Sequence, residues 1–204
     1  TKQFQYEIQA YQEDCVNNIV SLFESLRQKI NFIGVMTEHH NKHKYNFPIQ
    51  DTKNIDIMME TGTGKTFTFI KTIFELNKNY GYKKFIVLIP TVPIREGTKT
   101  NLEDTKDYFK SYYANQKEKE IEAFVYESGN LSAVKQFIGT SHLSVLVMTP
   151  SSFNSKDNIL NRPLEREMNQ PELFITNQDP PKSYLECLKR LSPIVIMDEP
   201  HRFE

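Results

Sequence analysis

A short apolar run that leads into a glycine-rich turn is the feature that most constrains this chain. Residues 55–58 form the run, Gly62 and Gly64 lie in the turn, and Lys65 and Thr66 open a segment of helical character. Glycine lets backbone N–H groups point inward at an anion, because no Cβ stands in the way. Lysine adds a positive charge, and a hydroxyl at a helix N-terminus can ligate a divalent cation. The order of these residues predicts a phosphate-binding loop after a buried strand.

We interpret this loop as a site for ATP with Mg²⁺. Lys65 is placed to bind the β- and γ-phosphates, and the Thr66 hydroxyl is placed to ligate Mg²⁺. The generic motif has glycine at the position of Met59, so the chain departs from that motif at one residue. The predicted loop contacts are Glu60, Thr61, Gly62, Thr63, Gly64, Lys65 and Thr66.

A second apolar run, residues 193–197, ends in two adjacent carboxylates, Asp198 and Glu199. Such a run predicts a fully buried strand of a parallel sheet, and ligands of open α/β sheets bind beyond the carboxyl ends of such strands. Asp198 is therefore predicted to hold the Mg²⁺ shell, and Glu199 to orient or deprotonate the water that attacks the γ-phosphate. Together with the loop, this acidic pair disfavours the alternative of a Gly/Thr turn with an incidental lysine.

Length and composition limit the class of protein. With 204 residues and 38% hydrophobic content, the chain can bury one sizeable core, as one domain or as a domain with an insertion. The 25 basic residues nearly balance the 26 acidic ones, so any binding to nucleic acid has to be local. Two cysteines without metal-ligand spacing, and the lack of a signal peptide or an apolar run of spanning length, favour the cytoplasm and no membrane partner.

The periodicity of apolar residues predicts strands that alternate with helices. The predicted helices cover 10–26, 67–77, 102–113, 131–137 and 184–191, and the predicted strands cover 55–58, 85–89, 121–126, 143–148 and 193–197. This alternation predicts an α/β fold with a mostly parallel sheet, helices on both faces and right-handed crossovers.

Two polar stretches, 31–53 and 154–183, interrupt the pattern and read as loops or insertions. The first contains His39, His40 and His43, and three histidines this close together raise the alternative of a metal site. A solvated, mildly basic loop is the interpretation that we favour, because only Glu38 lies at a ligand-like spacing.

Two predicted strands end in threonine. Thr91 follows the strand at 85–89 and can cap the next helix, so the turn from Thr91 to Arg95 offers N–H groups, a hydroxyl and a guanidinium. Thr149 ends the strand at 143–148 in the same way. Groups of these kinds bind the phosphates of a nucleic-acid backbone, and the alternative is a plain helix cap.

These motifs, in this order, resemble the first RecA-like domain of superfamily-two helicases and translocases. The upstream Gln12 and the loop Thr61–Thr66 resemble theirs, as do the strand ends at Pro90-Thr91 and Thr149-Pro150 and the closing stretch Asp198-Glu199-Pro200-His201. The finer resemblance is to the restriction (Res) subunit of type III restriction-modification enzymes. It is carried by Met59-Glu60 with the loop, Thr72–Lys78, Tyr80-Gly81, Lys84–Ile86, Pro90, Ile94–Gly97, and Pro200 where common helicase groups have Ala or Cys.

The resemblance implies a RecA-like P-loop NTPase domain over residues 1–204. It implies that Gln12 reads the adenine edge, and that ATP drives movement or switching on duplex DNA. It further implies a methyltransferase (Mod) partner, and a nuclease domain and a second RecA-like domain outside this chain. Because the chain begins at Thr1 without Met and ends three residues after His201, we expect a fragment of a longer polypeptide. Arginines of the second domain complete the ATPase site in this family, so this chain alone should bind nucleotide weakly and turn it over slowly.

Other functions remain open at this stage. The chain could belong to another superfamily-two DNA or RNA helicase, or act as a nucleotide-binding P-loop module without motor activity. A kinase or small-molecule phosphotransferase on the same fold is a third alternative. ATP hydrolysis that DNA stimulates would separate the motor from the last two.

Overall fold

The computed structural model describes residues 6–28, 32–44, 54–127, 129–153, 159–162, 164 and 181–202. The chain divides into two units, residues 1–80 and 81–204. Among the helices of the described residues, none combines the length and apolar composition that a membrane span requires.

Three helices make up the secondary structure described in the first unit: α1 (Ala10–Arg27), α2 (Phe32–His43) and α3 (Lys65–Tyr80). The start of α1 at Ala10 confirms the prediction. Helices α1 and α3 pack together through side chains that recur at helical spacing and are buried: Val16, Ile19, Leu22, Ile70, Ile73, Phe74 and Leu76. The Tyr80 hydroxyl also donates to the Val20 carbonyl at 2.7 Å, which ties the end of α3 to α1.

Two predictions for the first unit are wrong. Residues 54–60 form neither helix nor strand, and the side chains of Ile57 and Met58 are 51% and 90% exposed. A strand needs a neighbour to complete its hydrogen bonds, and the described residues of this unit provide only helices. The predicted loop at 31–53 contains α2, because packing against α1 compensates for its weak helical pattern. Residues 45–53 lie outside the described part.

A four-stranded parallel sheet forms the centre of the second unit, in the order β2-β3-β1-β4. Its strands are β1 (Lys84–Leu88), β2 (Glu122–Val125), β3 (Ser144–Met148) and β4 (Ile194–Met197). The helices between them are α4 (Val92–Asp104), α5 (Lys106–Tyr112), α6 (Ser132–Gly139) and α7 (Tyr184–Arg190). The α/β prediction with a parallel sheet is thus confirmed.

The core of this unit forms where the apolar sheet meets its helices. Every residue of β3 is buried, because β3 lies between β1 and β2. On one side Phe137 of α6 and Tyr184 of α7 pack with Leu146 and Met148 of β3. Leu160, in a 3₁₀ turn at Ile159–Asn161, joins this cluster, so part of the predicted insertion 154–183 is core. Most of that insertion lies outside the described residues.

Two further expectations for the second unit need correction. The predicted helix at 102–113 is divided between α4 and α5 at Thr105, whose hydroxyl donates back to the Asn101 carbonyl at 2.7 Å. The strand β4 is not fully buried, since Val195 is 45% and Met197 is 53% exposed. Within the described residues β4 pairs with β1 alone, so it is an edge strand with alternating exposure.

A lysine at the start of β1 makes the stability of this unit depend on pH. The Lys84 ammonium donates to the carbonyls of Phe137 and Thr140 at the end of α6, both at 2.5 Å. Burial lowers the pKa of Lys84 to about 8, from an ordinary value of 10.5. Between these two values the unfolded chain binds more protons than the folded one. The contribution of Lys84 to the free energy of unfolding should therefore rise with pH over this range, by about 1 kcal/mol because the side chain is partly exposed and solvent screens its charge.

Denaturant unfolding at about pH 8 and about pH 10 tests this prediction. The variant Lys84→Met should lose the rise, whereas Lys99→Met, at an exposed position of α4, should keep it. An equal rise in the unmodified protein and in Lys84→Met would contradict the prediction.

Candidate nucleotide-binding site

The glycine-rich turn in the first unit has the backbone of an anion-binding loop. The Glu60 carbonyl accepts from the Thr63 hydroxyl at 2.6 Å and from the Thr63 N–H at 3.4 Å, which closes the turn. Gly62 and Gly64 have φ angles of +81° and +80°, a region in which side chains are strained. The Gly64 carbonyl then accepts from the Thr68 N–H at 3.0 Å, so α3 begins directly after the turn. The turn therefore delivers its backbone to a helix N-terminus, where anions bind.

Lys65 and Thr66 are the first two residues of α3, and both are partly exposed. This places a cation and a hydroxyl on the same loop–helix junction as the two glycines. Hydroxyl and carboxylate oxygens are ligands that suit Mg²⁺, which keeps several waters and substrate phosphates in its shell. The donor set that the sequence predicts, Thr66 and Asp198, therefore fits this ion chemically.

The upstream amide, Gln12, lies against this loop. Its side chain is 6% exposed, its Nε2 donates to the Thr63 carbonyl at 2.9 Å, and its Oε1 accepts from the Gln9 N–H at 3.1 Å. The Tyr11 hydroxyl donates to the same Thr63 carbonyl at 3.1 Å. Sequence reasoning did not single out Tyr11, and its position directly before Gln12 was the available signal.

The acidic pair lies in the second unit, where β4 ends. The Asp198 N–H donates to the Leu88 carbonyl at 2.9 Å, so the sheet ladder continues up to this residue. Glu199 follows with a φ of +54°, an uncommon conformation for a residue with a side chain. Its Oε2 lies 3.2 Å from His201 Nε2 and 3.9 Å from Arg202 Nε, in a 3₁₀ turn at Pro200–Arg202. Both acidic side chains are only partly exposed.

Thr91 and Thr149 follow β1 and β3, and thus lie at the same sheet edge as Asp198. Thr91 is exposed and occupies the N-cap position of α4, but its side chain makes no capping hydrogen bond. The expectation that it caps this helix is wrong, and Pro93 in the first turn accounts for part of this, since it has no N–H to cap. The Thr149 hydroxyl lies 2.8 Å from Ser151 Oγ and 3.4 Å from Ser152 Oγ.

Arg95 differs from the two threonines, because its guanidinium already has protein partners. Nη1 donates to the Tyr126 carbonyl at 2.8 Å, while Nε and Nη2 donate to Glu96 Oε1 at 3.2 and 3.0 Å. The Arg95 side chain is 12% exposed. These contacts join the first turn of α4 to the end of β2, and they use three of the five N–H donors of the guanidinium.

The histidine alternative finds no support in the described residues. His39 and His40 lie on α2, and His40 is buried. No group of three or more His, Cys, Asp or Glu side chains in the described ranges could hold a metal ion.

Comparison with known proteins gives the family. A family model described as the res subunit of type III restriction enzymes matches residues 5–204. The EcoP15I Res subunit of Escherichia coli is 32% identical over 215 residues, a match that covers 97% of this chain and 19% of that protein. The EcoPI Res subunit of Escherichia phage P1 is 36% identical over 164 residues, covering 73% of this chain and 16% of that protein.

A third relative, the StyLTI Res subunit of Salmonella typhimurium, is 32% identical over 169 residues, covering 75% of this chain and 16% of that protein. The chain spans less than a fifth of the length of each of these relatives. The family match includes the glycine-rich loop, the parallel sheet and the acidic pair. The chain therefore belongs to the family of the Res subunits of type III restriction enzymes, as a RecA-like domain of that family.

Proposed function

We propose that this chain is the ATP-binding motor domain of a DNA-dependent ATPase that acts within a type III restriction endonuclease. The observation that carries the proposal is the loop–helix junction, where Gly62 and Gly64 have positive φ angles and Lys65 opens α3. A junction of this kind presents backbone N–H groups, a helix N-terminus and a cation to one anionic ligand. The triphosphate of ATP is the ligand that this chemistry suits.

Each site residue has a role in this proposal. Lys65 binds the β- and γ-phosphates, while Thr66 and Asp198 hold Mg²⁺, which neutralises phosphate charge when bound. Glu199 orients the attacking water and accepts its proton. The nucleotide is further contacted by the backbone of Glu60, Thr61, Gly62, Thr63 and Gly64. The Gln12 amide, on α1, reads the adenine edge.

Duplex DNA is the proposed track, bound through its backbone. Thr91 and Thr149 offer hydroxyls at the carboxyl edge of the sheet, and Thr91 lies at the N-terminus of α4. Backbone N–H groups and hydroxyls there suit phosphate oxygens. Arg95 contributes positive charge at the same turn, although Glu96 offsets part of that charge.

The remaining parts of the enzyme are proposed from the family. The relatives are named as restriction-modification enzymes, which supports a methyltransferase (Mod) partner. We propose that a second RecA-like domain and the nuclease domain lie in parts of the polypeptide outside this chain. The enzyme is proposed to act in the cytoplasm. Arginines of a second domain stabilise the transition state in such ATPases by about 10³-fold or more. The isolated chain should therefore hydrolyse ATP at least about 10³-fold more slowly than the complete subunit.

ATP hydrolysis by the full-length Res subunit, with and without duplex DNA, tests this function. We expect duplex DNA to stimulate phosphate release severalfold. Stimulation by RNA alone would point to another superfamily-two helicase, and nucleotide binding without stimulation to a P-loop module. Transfer of phosphate to a small molecule instead of water would make the protein a phosphotransferase. Each of these three results would overturn the proposal.

A further inference from the structure

Two side chains at the start of α1 converge on one backbone atom of the phosphate-binding loop. The hydroxyl of Tyr11 and the amide of Gln12 both donate to the Thr63 carbonyl, at 3.1 and 2.9 Å. These residues are separated from Thr63 by about 50 positions in the chain, so the contacts are tertiary. The orientation of the Gln12 amide is set by a further hydrogen bond, because its Oε1 accepts from the Gln9 N–H.

The direction of the Thr63 carbonyl determines where the next N–H points. In a planar trans peptide the C=O and the following N–H point in opposite directions. With the Thr63 carbonyl held toward Tyr11 and Gln12, the Gly64 N–H points away from α1. In a phosphate-binding loop, backbone N–H groups of this kind contact the phosphate oxygens. The two donors on the Thr63 carbonyl thus determine the direction of the Gly64 N–H, which would bind the ligand.

The packing at Gly64 shows how closely the Gln12 amide approaches this peptide. A Cβ at Gly64 would lie 2.5 Å from Gln12 Nε2, closer than real Cβ contacts occur, and the φ of Gly64 is +80°. Only glycine allows the amide to reach the Thr63 carbonyl at this distance. The hydroxyl of Tyr11, whose ring is half exposed, approaches from the same helix end.

We propose that Tyr11 is a positioning residue of the nucleotide site: its hydroxyl, together with Gln12, holds the Thr63 carbonyl so that the Gly64 N–H meets the phosphates. This inference rests on the proposed nucleotide site. It predicts that the contribution of Tyr11 acts on the phosphates and does not depend on the base. The role differs from reading of the adenine edge, which the family resemblance implies for the neighbouring Gln12.

The variant Tyr11→Phe tests the proposal in the full-length Res subunit, because it removes one oxygen and keeps the ring. Tyr112→Phe is the matched control, since Tyr112 of α5 is 48% exposed and Tyr11 is 50% exposed. Dissociation constants are measured with Mg²⁺ for ATP, GTP and inorganic tripolyphosphate, by displacement of a fluorescent ATP analogue. We expect Tyr11→Phe to weaken all three ligands equally, by about three- to tenfold, as the loss of one hydrogen bond should.

Steady-state kinetics and thermal unfolding separate positioning from a merely structural role. We expect Tyr11→Phe to raise KM for ATP by a similar factor, with kcat and the unfolding temperature close to those of the unmodified protein. A loss confined to ATP, or no loss for any ligand, would overturn the proposal. So would a fall in unfolding temperature that accounts for the weaker binding. If the unmodified protein bound neither nucleotide nor tripolyphosphate, the proposed function itself would fail, and this inference with it.

Discussion

Replacing Glu199 by glutamine should lower ATP hydrolysis by the full-length Res subunit by about 10²- to 10⁴-fold, the usual contribution of a general base. Glutamine keeps the size of the side chain but cannot accept a proton from water. Glu199 is the second residue after the end of β4, and its carboxylate lies 3.2 Å from His201 Nε2. Phosphate release at saturating ATP and duplex DNA measures the effect, and the affinity for MgATP should stay close to that of the unmodified protein.

The control for this variant is Glu103→Gln, the same change on an exposed carboxylate of α4. It should leave the hydrolysis rate unchanged. A Glu199→Gln variant that hydrolyses ATP at the unmodified rate would contradict the assignment of Glu199 as the base. An equal fall in rate and in nucleotide affinity would contradict it as well, because the carboxylate would then act in binding.

Local chemistry explains why the loop and most elements could be predicted from sequence. Glycine tolerates a positive φ angle, so Gly62 and Gly64 predict the turn from sequence alone. Helix α1 and the strand β3 follow from the spacing of their apolar residues, which is a property of the segment itself. The parallel sheet follows from the alternation of such segments.

Features that depend on a distant neighbour could not be predicted. The apolar pattern at residues 55–58 resembles a strand, but the described part of the first unit offers no strand to pair with it. In β4, exposure of Val195 and Met197 depends on pairing at one edge only. Helix α2 is held by packing on α1, which its polar sequence does not reveal.

Contacts between side chains and residues distant in sequence could not be predicted from the sequence either. Arg95 was predicted to contact nucleic-acid phosphates because it lies in a turn after a strand. Its guanidinium donates to the Tyr126 carbonyl and the Glu96 carboxylate. The link from Tyr11 to Thr63 joins residues from different helical and loop segments. Sequence spacing identifies the donors and acceptors at such positions, and only the tertiary structure identifies the pairs.

Replacing Lys65 by alanine should weaken MgATP binding by about 2 kcal/mol, or roughly 30-fold, because it removes a charge-assisted contact to the phosphates. Lys65 is the first residue of α3, directly after Gly64, so its charge adds to that of the helix N-terminus. Lys78→Ala is the matched control, since Lys78 lies in the last turn of the same helix, with a side chain that is 42% exposed and paired with Glu75.

Titration of a fluorescent ATP analogue with Mg²⁺ into the full-length Res subunit, at low salt, tests the central claim most directly. We expect the unmodified protein and Lys78→Ala to bind alike, and Lys65→Ala to bind about 30-fold more weakly. Equal binding by Lys65→Ala and the unmodified protein would contradict the assignment of residues 60–66 as the nucleotide-binding loop.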